Sequence, residues 1–134
     1  MKIDLNYLKK LLKDFQNSEK AFTNIIQLKT NGLEYESEEF IFHLHLLWDN
    51  AIITTENPED TNFGLSRLSN GQPHWQVKNL RLTYEGHQFL ESLENSDIWN
   101  KLKNDFKDST LSTIKNVAKS LMEEYLKQKL GLTK

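Results

Sequence analysis

The four histidines are the side chains best suited to metal binding or acid–base chemistry, because the chain contains no cysteine. His43 and His45 stand two residues apart in a predicted helix, so their side chains point about 200° away from each other and do not chelate one ion. The sequence also lacks zinc-protease spacing and glycine-rich phosphate loops. We therefore predict no metal site and no cofactor, and we expect the histidines to be structural or to lie at the surface.

A cluster of carboxylates is the second group that could do chemistry, since Glu36, Glu38 and Glu39 flank Ser37. Acidic residues in the first turn of a helix are favoured by the helix dipole alone. None of these carboxylates is matched in the sequence to a base, a nucleophile or an orienting group. The sequence thus predicts no catalytic residues and a protein that is not an enzyme.

The composition is that of a small folded protein, with 134 residues of which 37% are hydrophobic and 10% aromatic. Residues 1–62 contain six Lys and eleven Asp or Glu, whereas residues 63–134 contain eleven Lys or Arg and eight acids. The front half is therefore acidic and the back half mildly basic. The sequence shows no signal-peptide pattern and no run of the ~20 apolar residues that a membrane span needs. We expect a cytoplasmic protein that does not contact a membrane.

Helix caps and apolar spacing indicate which elements position these residues. Asp4, Ser37 and Thr83 are of the types that cap helices, and apolar residues recur every three to four positions after them. In chain order we predict a helix starting after Asp4, a short strand or helical turn at 22–28, a helix from Ser37 to Asp49, a strand at 52–55, a loop at 56–62, a short strand at 63–68, a turn at 69–73, a returning strand at 75–83, a helix capped by Thr83, a helix at 97–107, and a final helix from Leu111 to Leu130 capped by Gly131.

This order predicts a mainly α fold with a small β wing: a winged helix-turn-helix core plus a C-terminal helical extension. We expect residues 1–95 to form the winged-helix domain and residues 96–134 to form the extension, which packs on the core or dimerises. The final helix carries an apolar stripe that is a candidate homodimer contact, formed by Leu111, Ile114, Ala118, Leu121, Met122 and Tyr125.

Two segments of the sequence resemble a known family. His43–Ile53 is similar to the end of the third helix in many bacterial winged-helix regulators, and Arg81–Leu90 is similar to the exit from the wing. With Asp97–Lys101 following, they resemble the bacterial and prophage domain of unknown function numbered 2513. The resemblance implies a winged-helix fold, a mobile-element setting and a bacterial host cell, and it implies no activity. Ala51 stands where the family usually has glycine, so we expect Asn50 to adopt the left-handed conformation.

The helix from Ser37 to Asp49 would be the DNA-reading helix of such a fold, but it contains acids and no Lys or Arg. An acidic surface placed against phosphate loses the counterion release that supplies most of the affinity. We therefore favour a protein partner, with candidate contact residues Glu38, Glu39, Phe42, His45 and Asp49. A second interpretation stays open, in which the C-terminal helices cover Phe42 and Trp48.

The predicted function is that of a non-enzymatic winged-helix protein of phage or mobile-element type, which binds a macromolecular partner and inhibits or modulates a host or defence protein. The alternative is a dimeric DNA-binding transcriptional regulator that uses its wing and basic flanks. Its candidate DNA contacts are Arg67, His74, Lys78 and Arg81 on the wing, with Lys101, Lys103 and Lys107 on a helix flank.

Overall fold

The computed structural model describes residues 1–131, and in that range the chain forms six helices and four short strands. The chain is mainly helical with a small antiparallel β component, as the sequence predicts. In chain order the elements are α1 (Leu5–Gln16), α2 (Ile25–Thr30), α3 (Glu38–Asp49), β1 (Ile53–Thr55), β2 (Leu65–Arg67), β3 (Pro73–Trp75), β4 (Leu80–Leu82), α4 (Tyr84–Glu94), α5 (Ser96–Asp105) and α6 (Leu111–Lys129).

Three of the helices begin at the residues whose side chains were predicted to cap them. The side-chain oxygens of Asp4, Ser37 and Thr83 each accept a hydrogen bond from the backbone N–H three residues later, at 3.0–3.1 Å. Each bond satisfies one of the N–H groups that a helix start leaves without a partner. The region at 22–28, predicted to be a short strand or a helical turn, contains features of both. Thr23 forms an isolated β-bridge with Leu80, and the chain is helical from Ile25.

The strand predicted at 75–83 is wrong as a single element, because the structure divides it. β3 pairs with β2, whereas β4 pairs with β1. The backbone N–H of Gln76 bonds the carbonyl of Gly64 at 2.8 Å, and the N–H of Glu56 bonds the carbonyl of Asn79 at 2.9 Å. Residues 57–63 on one side thus face only residues 77–78 on the other. A ladder with such unequal sides loses its register, so two short sheets form.

The end of α3 corrects the prediction made for Asn50. Asn50 has a φ of −99°, and Ala51 instead has the positive φ, at 56°. The N–H of Ala51 bonds the carbonyl of Trp48 at 3.1 Å, and the N–H of Ile52 bonds the carbonyl of Leu47 at 2.9 Å. This pair of bonds is the Schellman motif, which requires the left-handed residue one position after the cap. Alanine occupies that position despite its Cβ.

The core lies between the helices, and α4 is its central element, packing on α1, α5 and α6. A Cβ added at Gly86 of α4 would lie 2.2 Å from the carbonyl oxygen of Ile52, so only glycine allows this close approach of α4 to the end of α3. Thr83 joins the same contact by donating its hydroxyl to the carbonyl of Ala51 at 2.6 Å. Helix α4 is therefore pinned directly against the end of α3. Among residues 1–131, no helix has the length and apolar character needed to cross a membrane.

Candidate interaction surface on helix α3

The α3 face is the name we give to the outward side of helix α3, formed by Glu38, Glu39, Phe42, His45 and Asp49. Glu38, Phe42, His45 and Asp49 recur every three to four residues and lie on one side of the helix, and Glu39 adjoins them three residues before Phe42. Four are exposed and Phe42 is half-buried. The other side of α3 is buried in the core. The amphipathic pattern alone therefore decides which α3 residues a partner could reach.

Phe42 and Trp48 have different surroundings. Trp48 packs against the buried core and against Phe63, with 5.7 Å between the ring centroids. The ring next to Phe42 is that of His43, which it meets edge-on at 5.2 Å. Phe42 therefore offers part of its ring to solvent among carboxylates, whereas Trp48 is a structural residue.

The charge of the α3 face is negative and only partly compensated. The guanidinium of Arg67 in β2 forks onto Glu38, donating to Oε1 at 2.8 Å and to Oε2 at 3.1 Å. This hydrogen-bonded pair lowers the pKa of Glu38 and raises the pKa of Arg67. Within the described part of the chain, no cation lies within 4 Å of the carboxylates of Glu39 or Asp49. These two carboxylates remain available to a partner.

An aromatic cluster holds the β2–β3 hairpin against α3. Phe63 is buried, and its ring centroid lies 4.9 Å from His45 and 5.9 Å from Trp75. Trp75 also meets Phe40 edge-on at 6.0 Å and donates its indole N–H to the carbonyl of Tyr35 at 3.0 Å. The sequence reasoning missed this cluster, although aromatic residues on both sides of the 69–73 turn were a usable signal. His45 is therefore both a face residue and a support for the hairpin.

His43 is buried and fixes α3 to the start of α1. Its Nε2 accepts the backbone N–H of Asp4 at 3.0 Å, and its Nδ1–H donates to the carbonyl of Glu39 at 2.7 Å. The Tyr7 ring packs beside the His43 ring at a tilt of 39°, with 4.7 Å between the ring centroids. The pKa of Tyr7 is raised to about 12, mainly by burial and secondly by the negative charge of Glu39. A hydrogen bond with Ser37 lowers this pKa and offsets part of the rise. His43 has the structural role expected of it.

The four wing residues proposed as DNA contacts do not form one basic surface. Arg67 is paired with Glu38, and Lys78 is paired with Asp60 at 3.0 Å, with both of these latter side chains largely buried. The ion pair lowers the pKa of Asp60. His74 and Arg81 are exposed but belong to different sheets. The hairpin therefore presents little uncompensated positive charge.

The apolar stripe of α6 divides into two halves. Leu111, Ile114 and Ala118 are buried within the chain itself, where α6 packs on α4 and α5, and are not available to a second copy. The second half is more open: Leu121, Met122 and Tyr125 are half-buried and Leu126 is 44% exposed. Homodimerisation stays a prediction, and the structure restricts its candidate contacts to the second half.

Within residues 1–131, no group of three or more His, Cys, Asp or Glu side chains is arranged to hold a metal ion.

The Lys115 ammonium links α6 to the end of α3 and to α4, since it donates to the carbonyl of Asn50 at 2.8 Å and to Glu85 at 2.9 Å. This ion pair lowers the pKa of Glu85. Lys115 thus ties α6 to α4 and to the end of α3.

Comparison with known proteins places the chain in a family. It is 37% identical over 49 residues to an uncharacterized protein of Haemophilus influenzae, and the match covers 34% of this chain and 42% of that protein. The chain thus spans less than half the length of this relative. No solved structure matches the chain. The sequence profile of the family described as "Hypothetical protein (DUF2513)" matches residues 2–112, and the chain therefore belongs to that family.

Proposed function

We propose that this chain is a non-enzymatic, winged-helix-like protein that binds a protein partner through the α3 face. The observation that carries the proposal is the composition of that face: two uncompensated carboxylates, Glu39 and Asp49, lie on either side of the partly exposed ring of Phe42. An aromatic anchor surrounded by charges of one sign is suited to a basic protein surface. An arginine-rich partner would gain both ion pairs and stacking on the ring.

The winged-helix assignment in this proposal is supported by topology. Thr23, between α1 and α2, bridges to Leu80 of β4, and β4 pairs with β1 on its other side. The chain order is thus a helix, the bridging residue Thr23, two helices, and then the paired strands β1 and β4. Strand β4 lies in the middle, between Thr23 and β1. In such a fold α3 would be the helix presented to DNA.

Electrostatics favour a protein over DNA at this face. Binding to DNA draws most of its affinity from cations that neutralise phosphates. Helix α3 has no Lys or Arg, and Arg67 on the neighbouring hairpin is already paired with Glu38. Docking α3 into a groove would bury Glu39 and Asp49 against phosphate. The regulator alternative therefore has less support than a protein partner.

The proposed role is inhibition or modulation of a host or defence protein by a phage or mobile-element product. A negatively charged helix on a small rigid scaffold would compete with nucleic acid for the basic surface of such a partner. The resemblance to prophage sequences supplies the setting, and the charge of the α3 face supplies the partner chemistry.

The test is differential capture followed by titration. Wild-type protein and the Phe42→Ala, Glu39→Lys and Glu124→Lys variants are used as baits in host lysate, the last being a matched charge reversal at an exposed α6 residue. We expect a protein that the wild type and Glu124→Lys retain and that the two α3 variants lose. With that protein purified, Phe42→Ala should raise the Kd about 30-fold, which is the effect of removing an interface hot spot. Equal binding by all four baits would refute the proposal.

A further inference from the structure

We propose a second binding surface, independent of the α3 face, at which helices α1 and α5 contact the phosphate backbone of a nucleic acid. We call it the α1/α5 surface and define it by Asn6, Lys9, Trp99, Lys103 and Lys107. Spacing of three to four residues aligns Asn6 with Lys9 on α1, and Trp99 with Lys103 and Lys107 along and just beyond α5. The bond from the Lys103 ammonium to Asn6 Oδ1, at 3.4 Å, shows that the two rows adjoin.

The three lysines of this surface have no carboxylate partner within 4 Å. Seven ion pairs engage Lys or Arg residues elsewhere in residues 1–131, and none of them includes Lys9, Lys103 or Lys107. Their ammonium groups therefore have no carboxylate within 4 Å, although Asp4 lines the same surface pocket as Lys103 and Lys107 and the whole chain has a formal net charge of −2. A local concentration of free cations on an acidic protein attracts polyanions to one place.

Trp99 holds two of these ammonium groups without neutralising them. The Nζ of Lys9 lies 4.4 Å from the centroid of the Trp99 ring, and the Nζ of Lys103 lies 5.4 Å from it. A carboxylate at this position would orient the lysines and also cancel their charge. An aromatic face orients them by cation–π attraction and leaves the full charge available to an incoming anion. The side-chain entropy of the two lysines is reduced before the ligand arrives.

The spacing of the charges favours phosphates in a chain over an isolated anion. Lys103 lies in α5, Lys107 follows the end of that helix, and both line one surface pocket with Asn6 of the adjoining helix α1. Ammonium and amide groups, as supplied by these lysines and Asn6, are common backbone contacts of nucleic-acid-binding proteins. A membrane surface fits less well, because membrane binding also uses exposed hydrophobic side chains. Neither α1 nor α5 has an exposed large hydrophobic residue, and Met1, which precedes α1, is the nearest one in sequence. We therefore assign this surface to a nucleic acid.

The experiment measures binding of the full chain to a fluorescein-labelled 20-nucleotide duplex and to a 20-nucleotide single strand by anisotropy, between 20 and 200 mM salt. Three lysine–phosphate contacts predict a duplex slope of log affinity against log salt near −2.7, and thus a roughly 40-fold loss of affinity between 50 and 200 mM. The two probes distinguish paired from unpaired backbones. Phe42→Ala should bind like wild type, which separates this surface from the α3 face.

Variants test which residues carry the binding. Lys103→Gln and Lys107→Gln should each reduce the slope by about 0.9 and weaken binding roughly 10-fold at 50 mM salt, whereas Lys127→Gln, a change at another exposed lysine on α6, should alter neither the slope nor the affinity. Trp99→Leu should lower affinity several-fold with an unchanged slope, because the charges remain and only their positions are lost, and Trp99→Phe should restore part of the affinity.

Three outcomes would overturn the assignment. The first is that Lys103→Gln and Lys107→Gln show the same slope of log affinity against log salt as the control Lys127→Gln. The second is competition by polyglutamate as effective as that by unlabelled nucleic acid, which would indicate an acidic protein partner. The third is lysine-dependent binding to vesicles of anionic phospholipid with no binding to either nucleic acid probe.

Discussion

Replacement of Ala51 by glycine is expected to stabilise this protein, because alanine there has a φ of 56°. The left-handed conformation costs an L-residue roughly 1–2 kcal/mol relative to the right-handed one. Glycine is free of that penalty but increases the entropy of the unfolded chain, which costs about 0.4–1 kcal/mol. The difference is a net gain of about 0.5–1 kcal/mol in the free energy of unfolding.

Other effects of the Ala51→Gly substitution are small. Ala51 is exposed, so the removed methyl group contributes little burial. The two hydrogen bonds that end α3 use backbone atoms only and remain in the variant. For a chain of 134 residues, the gain corresponds to a rise in Tm of about 2–4 °C. In urea unfolding followed by circular dichroism, the midpoint should rise by about 0.3–0.5 M with an unchanged m value.

Ala21→Gly is the matched control for this measurement. Ala21 is also exposed and non-helical, and among the described residues Ala51 is the one non-glycine residue with positive φ. Ala21→Gly should therefore lower the free energy of unfolding by about 0.4–1 kcal/mol through the unfolded chain alone. The opposite signs of the two substitutions isolate the backbone conformation. If Ala51→Gly lowers stability as much as Ala21→Gly does, the strain argument is refuted.

Three further predictions follow from individual contacts. Gly86→Ala should lower the free energy of unfolding by roughly 3 kcal/mol, because its Cβ would meet a backbone carbonyl 2.2 Å away, and an unchanged urea midpoint would contradict that packing. Arg67→Gln should destabilise the protein at neutral pH but not at a pH low enough to protonate Glu38 in the folded protein. Because Arg67 lowers the pKa of Glu38 in the folded protein, the ion pair stabilises the fold above the ordinary glutamate pKa, and this stabilisation is lost as the pH falls through the pKa of Glu38 in the folded protein. A stability difference between variant and wild type that persists in acid would argue against the ion pair. If α6 mediates a homodimer, Met122→Glu should shift the light-scattering mass toward that of one chain, whereas equal masses for variant and wild type would exclude Met122 from an interface.

The local features of this fold were readable from the sequence. Asp4, Ser37 and Thr83 cap helices through bonds to residues three positions away, and such bonds depend on neighbours in the chain alone. The outward position of the α3 face likewise follows from helical periodicity. The interpretation of Ala51 was wrong by one position because the choice between adjacent residues depends on the closing hydrogen bonds, which composition does not specify.

The contacts that give the surfaces their character join residues distant in sequence. Arg67 and Glu38 are separated by 29 positions, and Trp75 reaches Tyr35 across 40. Whether Glu38 is free or paired, and whether Trp99 holds lysines or lies bare, depends on how a hairpin and two helices pack. Residue types and their periodicity thus specify the helices, the caps and the sign of each helical face, since these properties arise within one or two turns. Which charges are neutralised and which remain for a partner is a property of the packed chain, because an ion pair forms only where the backbone brings two distant side chains within a few ångströms.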